Sequence, residues 1–559
     1  MKVVIIGGVA GGASAAARLR RLDEAAEIVM LERSGYISYA NCGLPYYVGG
    51  VIQSRDSLTL QTPESFGRRF RVDVRVRHEA VAIDRVARQV QVRDLAHGTS
   101  YAEPYDKLIL APGAKPLVPP LSGLDTEGLF TLRTVEDALR MDDFIRQRAP
   151  RSAVVIGAGV IGLEMADNLR HRGLEVTVVQ LLAQVMPTLD ADMAAILHGH
   201  MRWQGVRLLL EASATGFAPR NGQIVTAIRG RGEVVSDMVV LAVGVAPDGA
   251  LAREAGLEMG LRGAIRTDVH MRTSDENIYA VGDAVEVTHL LTGQKALVSL
   301  AGPANKQGRI AADNLCGIPS EFRAAQGSSI LKLFDMTVAS TGLSEQQASE
   351  AGLDSDAVIL APPSHATYYP GAESMTLKVR FEKPTGRILG AQIVGFGGVD
   401  KRLDVLATAI RAGMTASDLE ALELAYAPPY GSAKDPVNMA GFAMGNVLSG
   451  LVKQVHWPQA LADGACLLDT RTDAEFSRGH IPGALHIPLD HLRGRLEELP
   501  RRGALYVYCQ SGLRSYLACR ILAQHGFDCY NVAGGYGFYA HTALDTQLRR
   551  EGVGPCGLA

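Results

Sequence analysis

The chain has 559 residues, of which 47% are apolar and 21% charged, and its formal net charge is -3 at pH 7. This length exceeds what one hydrophobic core organises, so we expect three or four domains that together fold over the whole length. The small negative charge and the absence of a long Lys/Arg run argue against partners such as nucleic acid or an anionic membrane surface and favour small-molecule chemistry.

The N-terminal segment MKVVIIGGVAGGASAAARLRR has a lysine before an apolar, Ala-rich stretch, as a secretory signal does. Glycines interrupt that stretch, which continues into an Arg-rich amphipathic sequence, so we predict strand, tight turn and helix instead. No other apolar stretch is about 18 residues long. We therefore expect a cytoplasmic protein that is neither exported nor membrane-spanning.

The first predicted unit is βαβ: a strand ending at Gly7, a helix from about 10 to 22, and the strand EIVMLE ending at Glu32. Glu32 follows Gly12 at about the spacing of 20 residues that lets a carboxylate reach a ribose diol in a dinucleotide-binding fold. Val9 occupies the middle glycine position of GxGxxG, which weakens the motif taken alone.

Cys42 lies in SYANCGLPYYVGG, where we expect a second helix to begin. A helix N-terminus stabilises a thiolate and lowers the thiol pKa; the alternative is a small buried core residue. No second cysteine follows nearby, so Cys42 cannot form a local dithiol. Its redox partner is then either a small thiol, in a mixed disulfide, or an oxidant that yields a sulfenic acid.

A complete GxGxxG follows at Gly157, Gly159 and Gly162, between a predicted strand and helix. Its glycines let the backbone approach a pyrophosphate at a helix N-terminus. Gln180 takes the acidic position, and the next residues offer no arginine for a 2′-phosphate, which mildly favours NADH over NADPH.

Three further segments, 105–116, 238–248 and 277–286, are predicted to be strands whose ends touch a cofactor. The last one places Asp283 after a buried strand and a glycine, where its carboxylate could accept bonds from a polyol. The alternative for Asp283 is the cap of a helix start.

From about 326 alternating apolar runs begin a third domain, in which EKPTGR joins two strands into an antiparallel hairpin. Its Pro/Gly loops contain four tyrosines that the residues alone leave undecided between loop packing and chemistry: Tyr368, Tyr369, Tyr426 and Tyr430.

LVKQVHWP (451–458) is a predicted linker, and a compact α/β unit of about 100 residues follows it. There a strand ends at Cys509, and a six-residue loop leads to Arg514 and a helix. The amides of such a loop can bind an anion and stabilise a thiolate or persulfide, with charge added by Arg514; the alternative is a structural cysteine.

The seven cysteines are 42, 316, 466, 509, 519, 529 and 556, and no two form CxxC. This odd, scattered set argues against a disulfide framework and a zinc site, so we expect free thiols. We interpret Cys519 and Cys529 as core residues.

Taken together, these motifs are recognisable. Residues 1 to about 450 resemble the coenzyme A disulfide reductase group of the pyridine nucleotide-disulfide oxidoreductases through SYANCGLPY, both glycine motifs, YAVGDA, YYPGA and YAPPYG. The C-terminal part resembles a rhodanese domain through LLDTRTDAEFSRGHIPGALHIPL and CQSGLRS. The whole chain thus resembles fused coenzyme A disulfide reductase–rhodanese proteins, some of which are described as NADH-dependent persulfide or polysulfide reductases.

The resemblance implies an α/β architecture with two Rossmann-like domains, an α+β dimerisation domain and a C-terminal α/β rhodanese-like domain. Its implied boundaries are 1–112 with 247–325 for FAD, 113–246 for NAD(P)H, 326–450 for dimerisation and 451–559 for the rhodanese-like domain.

The resemblance also implies site residues. FAD would contact Gly7, Gly8, Ala10, Gly11, Gly12, Glu32, Ala111, Pro112, Gly113 and Asp283, and NADH would lie along Gly157, Gly159 and Gly162. Further implied cofactor-binding positions are Arg33, Arg133, Glu164, Gln180, Gly244 and Gly282. Coenzyme A would bind near Ser38 and Asn41, with its phosphates near Arg18 and Arg21. Tyr368 and Tyr426 would assist the thiol chemistry from the partner subunit of a homodimer.

The implied reaction passes electrons from NADH through FAD to a disulfide between Cys42 and coenzyme A. The released thiolate attacks the terminal sulfur of a persulfide or polysulfide, while Cys509 and Arg514 handle sulfane sulfur. Two alternatives stay open: an NADH oxidase or peroxidase with a sulfenic acid cysteine, and a non-catalytic redox-sensing sulfur-relay protein.

Overall fold

The structure is a computed structural model that describes residues 1–551, with side chains as far as Arg549. Cys556, predicted to be a free thiol, lies outside the described residues. The chain forms two compact units, the first made of residues 1–183 and 206–327 and the second of residues 184–205 and those described from 328 onward.

The first unit contains two parallel five-stranded sheets. One has the spatial order Ile278–Ala280, Lys107–Leu110, Lys2–Ile6, Glu27–Glu32 and Asp73–Val76. The other has the order Arg207–Leu209, Glu175–Val179, Ser152–Ile156, Met238–Leu241 and Leu129–Phe130. Central strands are apolar at almost every position because both faces of a parallel sheet are covered. The predicted Rossmann-like arrangement of both glycine motifs is confirmed.

The second unit begins with an antiparallel sheet in the order Ser329–Leu333, Met336–Gly342, Ile388–Gly395, Thr376–Glu382 and Ser355–Leu360. Strands Thr376–Glu382 and Ile388–Gly395 pair in antiparallel register on either side of the EKPTGR turn. The predicted hairpin is confirmed.

The same unit ends with a parallel sheet in the order Lys453–Val455, Cys529–Val532, Leu505–Tyr508, Cys466–Asp469 and Leu485–His486. Its first strand lies inside the segment predicted to be a linker, and that prediction is wrong. Val455 is buried and Trp457 donates its indole N–H to Gly535 O at 2.9 Å, so the segment belongs to the core of this domain.

Helices connect and cover these sheets. Their bounds are Ala10–Leu22, Leu44–Val48, Pro63–Phe70, Val135–Arg148, Val160–His171, Ala191–Trp203, Ala250–Glu254, Ala301–Leu315, Glu345–Glu350, Val399–Ala412, Ala416–Ala421, Pro436–Leu448, Trp457–Ala462, Asp473–Ser477, Leu489–Leu492, Leu513–Gln524 and Gly535–Glu551. The first matches its predicted bounds. Among the described residues, no helix combines the length and apolarity needed to cross a bilayer.

Smaller antiparallel ladders complete the first unit. Their strands are His78–Asp84, Gln89–Asp94 and Thr99–Pro104 in one; Ala214–Arg220, Gln223–Ile228 and Gly232–Ser236 in a second; Ala114–Pro116 with Val245–Pro247 in a third; and Val287–Thr288 with Lys295–Ala296 in a fourth.

Candidate active site

The first glycine turn packs backbone against backbone. Gly7 has φ of +100°, and a Cβ on it would lie 2.1 Å from Ala111 O. A Cβ on Gly12 would lie 1.9 Å from Gly7 O. The helix Ala10–Leu22 therefore starts close to the end of the first strand, and no side chain of the described residues caps its first N–H groups, which leaves them available to an anion.

A cavity of about 370 Å³ opens beside this turn. Eight of the predicted site residues line it: Gly7, Glu32, Arg33, Asn41, Ala111, Pro112, Gly113 and Arg133. The lining residues that were not singled out in the sequence include four with polar side chains: Tyr39, His78, Thr134 and Asp248. Of the four, Asp248 alone lies in a segment predicted to touch a cofactor, so sequence spacing could have identified it.

The Glu32 side chain is hydrogen-bonded to the first glycine turn. Its Oε2 accepts a hydrogen bond from Gly8 N at 2.9 Å, and its Oε1 accepts one from Ser34 N at 2.8 Å. Both oxygens keep free lone pairs, because a carboxylate can accept about four bonds. Arg33 forms an ion pair with Asp248 at 3.2 Å.

Cys42 lies in a 3-10 turn, Asn41–Gly43, immediately before the short helix Leu44–Val48. The Asn41 amide, in the orientation that satisfies its neighbours, donates to Arg133 O at 3.0 Å and accepts from Arg133 Nη1 at 3.2 Å. Arg133 Nη2 is 2.9 Å from Asp283 Oδ2. The structure thus places Arg133 between Asn41, next to the cysteine, and Asp283.

The pKa of Cys42 is raised, not lowered as predicted. Although Cys42 is exposed at the surface, desolvation by the protein atoms around its thiol is the main cause; the charges of Glu164 and Asp283 add to it, and Arg133 opposes it. Burial also raises the pKa of Glu164 to about 7, and Tyr46 donates its hydroxyl to Glu164 Oε1 at 3.3 Å. A helix of five residues contributes too little dipole to overcome these groups.

The second glycine turn repeats the geometry of the first. A Cβ on Gly162 would lie 2.0 Å from Gly157 O, whereas one on Gly159 would meet nothing within 4 Å. Gln180 Oε1 accepts a hydrogen bond from Ala158 N at 3.3 Å, as Glu32 does from Gly8. The open space at Gly159 lies at the start of helix Val160–His171, where a dinucleotide pyrophosphate would bind.

Gln307 was missed in the sequence. Its Oε1 accepts from Gly282 N at 2.7 Å, next to Asp283, while its buried Nε2 has no protein partner. A buried donor without a partner is costly unless a ligand accepts from it. Together with the glycine turn and Glu32, this orphaned donor fits FAD, a polyol phosphate rich in acceptors. The remaining predicted glycine, Gly244, follows strand Met238–Leu241.

The residues implied for coenzyme A do not gather at the cavity, apart from Asn41. Arg18 Nε is 2.6 Å from Asp313 Oδ1, which commits part of its guanidinium to an ion pair. Arg21 is exposed, and Ser38 donates its backbone N–H to Gly8 O at 2.8 Å.

In the second unit, the hydroxyls of Tyr368 and Tyr426 are 2.7 Å apart, and both side chains are exposed. The structure thus joins one tyrosine from each predicted loop. This contact raises the pKa of Tyr368 because the partner hydroxyl favours its protonated form.

Cys509 is fully buried at the end of strand Leu505–Tyr508. Its Sγ accepts a hydrogen bond from Gly512 N at 3.1 Å and one from Ser515 Oγ at 3.4 Å. Helix Leu513–Gln524 begins at the end of the predicted loop. Two donors therefore point at this sulfur, as they would at a bound anion.

Arg514 forms a two-bond ion pair with Glu475, at 2.7 Å for each bond, and it lowers the pKa of Glu475 to about 2. Sequence reasoning missed this partner, and it missed a second ion pair, which is buried, between Arg471 and Asp469 at 2.7 Å. The acidic partner of each pair lies in the segment LLDTRTDAEF, where three acidic residues and two threonines stand close together.

Comparison with known proteins decides the family. Residues 1–308 match pyridine nucleotide-disulphide oxidoreductases, residues 328–436 match the dimerisation domain of that family, and residues 454–540 match the rhodanese-like domain. The chain belongs to the pyridine nucleotide-disulphide oxidoreductase family. Its members' oxidoreductase chemistry, with FAD and a nicotinamide nucleotide, is the chemistry that the two glycine turns suit.

Two curated relatives are each 34% identical over 79% of this chain: an NADH oxidase of Methanocaldococcus jannaschii, covered over 98% of its length, and a coenzyme A disulfide reductase of Staphylococcus epidermidis, covered over 99%. Reduced CoADR-RHD of Bacillus anthracis is 46% identical with a TM-score of 0.95, over 97% of this chain and 98% of that one. An NAD-dependent persulfide reductase from A. fulgidus is 41% identical with a TM-score of 0.92, over 96% and 100%.

Proposed function

We propose that this chain uses NADH and FAD to reduce coenzyme A disulfide, coenzyme A persulfide or polysulfide sulfur through Cys42, while Cys509 handles sulfane sulfur. The observation that carries the proposal is that one chain holds a cysteine in the unit with both dinucleotide turns and a second cysteine in a donor-lined loop. The full-length similarity to a persulfide reductase supports the same conclusion.

In this proposal FAD binds at the first turn, on Glu32, Ala111–Gly113 and Asp283, and NADH binds at the second turn. FAD, when bound, passes the two electrons of NADH to a disulfide. Gln307 would donate its orphaned N–H to the flavin nucleotide, and Arg133 would hold Asp283 and Asn41 in place. Gln180 and the two leucines after it, both exposed, favour NADH because they offer no cation to a 2′-phosphate; NADPH is the alternative.

The overall reaction balances as coenzyme A persulfide, NADH and one proton giving coenzyme A thiol, hydrogen sulfide and NAD⁺. Cys42 breaks the persulfide S–S bond by nucleophilic attack, and the mixed disulfide that follows is reduced. Glu164, whose pKa of about 7 keeps it partly protonated, is placed to supply the proton that a leaving thiolate needs. Asn41, Ser38, Arg18 and Arg21 are the proposed coenzyme A contacts, and Arg18 would have to exchange Asp313 for a phosphate.

We further propose a homodimer, formed through the dimerisation domain, in which Tyr368 and Tyr426 serve the partner's Cys42 site. Their mutual hydrogen bond supports a joint role, since each hydroxyl orients the other. The domain boundaries predicted from the sequence and a cytoplasmic location belong to the same proposal. The six cysteines in the described residues are free thiols, which suits a reducing compartment.

The proposal is tested by anaerobic sulfide release from coenzyme A persulfide with NADH. We expect Cys42→Ser to lower the rate by at least about a hundredfold, because the S–S bond then has no nucleophile. Cys316→Ser is the matched control, since Cys316 lies in the same unit at the end of helix Ala301–Leu315, and it should keep the wild-type rate.

The result that would overturn the proposal is background sulfide release together with NADH oxidation driven by oxygen or peroxide. The M. jannaschii relative named NADH oxidase makes this the specific alternative. Absence of steady-state NADH consumption with every acceptor would instead favour a redox-sensing sulfur-relay protein.

A further inference from the structure

A second pair of thiols lies in the rhodanese-like domain, away from Cys509. Cys519, on helix Leu513–Gln524, and Cys529, on strand Cys529–Val532, are 2% and 5% exposed, as expected for core residues. Cys529 Sγ donates a hydrogen bond to the Cys519 carbonyl oxygen at 3.4 Å, and each thiol shifts the pKa of the other. The two residues are therefore neighbours that no disulfide joins.

These thiols face a cavity of about 350 Å³ that both of them line. The other lining residues come from the segment Gly450–Lys453 and from the end of helix Leu513–Gln524 and the turn after it. Leu451 and Ala523, both exposed, stand at its rim, so the cavity opens to solvent. Thiols enclosed in a hydrophobic core without a cavity would not be accessible to a solute.

The size and charge of the cavity limit what can enter. Its volume is near the low end for small-molecule sites, which suits a few atoms of inorganic sulfur better than coenzyme A with its long arm and nucleotide. Lys453 and Arg520 bring positive charge close to Cys529, and Asp528 opposes them. Lys453 is already paired with Asp528 at 2.8 Å, so Arg520 supplies the remaining positive charge, which favours a small anion.

The two thiols differ in acidity. The contact with Cys519 lowers the pKa of Cys529, whereas the same contact raises that of Cys519. Cys529 is thus the first to become a thiolate, which is the reactive form, and Cys519 keeps a proton.

We propose that Cys529 and Cys519 form a second redox site, which reacts with inorganic polysulfide in this cavity and closes to a reversible disulfide. The Cys529 thiolate attacks a polysulfide sulfur, a Cys529 persulfide forms and a shorter polysulfide or hydrosulfide leaves. Cys519 then attacks Cys529 Sγ, the S–S bond to the outer sulfur breaks, and that sulfur leaves with the Cys519 proton. Two thiols are oxidised, one sulfane sulfur is reduced to sulfide, and a small thiol restores the dithiol.

This site is separate from the Cys509 loop. Cys509 does not line the cavity, and Ser515, whose hydroxyl contacts Cys509 Sγ, precedes Cys519 by one helical turn. The reaction needs neither NADH nor flavin, so it goes beyond the proposed function. A negative result for this site would leave the proposed function unaffected.

The test uses the holoenzyme Cys42→Ser/Cys509→Ser, which keeps five of the seven cysteines, with inorganic polysulfide and no NADH. After removal of excess polysulfide, we expect two of the five thiols to be lost and the peptides of Cys519 and Cys529 to be joined in the mass spectrum. Dithiothreitol should restore both thiols. An unchanged thiol count, or a bond between other cysteines, would overturn the proposal.

Single substitutions in the same background separate the two steps. Cys519→Ser should trap a persulfide on Cys529, seen as the mass of one added sulfur atom, because nothing resolves it. Cys529→Ser should show neither the persulfide nor the disulfide. Equal reactivity of both variants would contradict the assigned order of attack.

A third variant keeps both buried thiols, so it removes no core side chain from the domain. Ala523→Phe fills the cavity mouth and should slow the loss of thiols at least about fivefold. Gln524→Phe, one residue further along the same helix and not part of the cavity lining, is its matched control and should react at the unmodified rate. Equal rates in the two would mean that polysulfide does not enter through the cavity.

Discussion

At Cys42, neighbouring charges outweigh the helix that follows it. The thiol precedes a helix of only five residues, whereas desolvation by nearby protein atoms and two carboxylates, Glu164 and Asp283, favour its protonated form. Arg133 alone opposes them, and it is already paired with Asp283. The protonation of Glu164 therefore controls how readily Cys42 forms a thiolate near neutral pH.

Glu164→Gln tests this coupling. Loss of the Glu164 proton through its pKa of about 7 places a negative charge near Cys42 and raises the thiol pKa, an effect that the neutral amide removes. We expect iodoacetamide to alkylate Cys42 several-fold faster in the variant than in wild type at about pH 8. Below about pH 6 the two rates should converge, because Glu164 is then protonated.

The control for this experiment is Asp167→Asn. Asp167 raises the pKa of Glu164 but is not among the charges that act on Cys42. This variant should lower the pH at which Glu164 ionises. The slowing of Cys42 alkylation by the Glu164 charge should then begin at a lower pH than in wild type. Identical alkylation profiles for wild type and Glu164→Gln would show that the carboxyl does not influence the thiol.

The sequence singled out Cys42 because its motif and the missing second cysteine are local features, and its catalytic role stays a prediction. It predicted the wrong pKa direction because Glu164 and Asp283 come from distant segments that only the fold brings together. Cys519 and Cys529 show the same limit. Each was correctly expected to be buried, yet their contact and their shared cavity depend on how one helix packs on one strand.

At the level of secondary structure elements, the second glycine turn contains two glycines that are required for different reasons. Gly162 is required by the protein itself, since a Cβ would press on Gly157 O at 2.0 Å. Gly159 has open space around its Cβ position and φ of -76°, which any residue can adopt. Its role would then lie in leaving room for a nucleotide.

We expect the two alanine substitutions to fail in different assays. Gly162→Ala should lower the free energy of unfolding by about 1–3 kcal/mol through overpacking, seen as a lower thermal midpoint. Gly159→Ala should keep the wild-type midpoint and raise the KM for NADH at least about tenfold, because its methyl group meets the pyrophosphate. An unchanged KM in a stable Gly159→Ala protein would contradict the proposed NADH site.

Long elements were predictable from the sequence, and a short edge strand was not. Apolar runs ending in glycine correctly marked the central strands of both parallel sheets, because full burial leaves such runs no polar positions. Lys453–Val455 was mistaken for part of a linker, since a strand of three residues with two polar side chains shows no periodicity. Only its pairing with Cys529–Val532 makes it part of a sheet.

At the scale of the whole molecule, the second unit joins distant parts of the chain. Helix Ala191–Trp203, which interrupts the first unit in sequence, belongs to the second unit and contacts the C-terminal helix there. His198 is fully buried and lies 3.0 Å from Asp545, to which Arg202 also pairs at 2.7 Å. Sequence motifs could not predict this junction, because none of these residues belongs to one.

In the proposed dimer, each active site combines residues of two subunits. If Tyr368 and Tyr426 serve the partner's Cys42, a dimer of one Cys42→Ser subunit and one Tyr368→Phe/Tyr426→Phe subunit contains one intact site and one site lacking both contributions. Each variant alone should be nearly inactive in NADH-dependent persulfide reduction, provided the tyrosine hydroxyls assist the thiol chemistry. Random reassociation of equal amounts should then recover about one quarter of the wild-type rate, because half of the dimers are mixed and each has one working site.

The control is the same mixture without the dissociation step, which should stay inactive. If the tyrosines acted on Cys42 of their own chain, no subunit pairing would contain a complete site, and the reassociated mixture would be as inactive as its components.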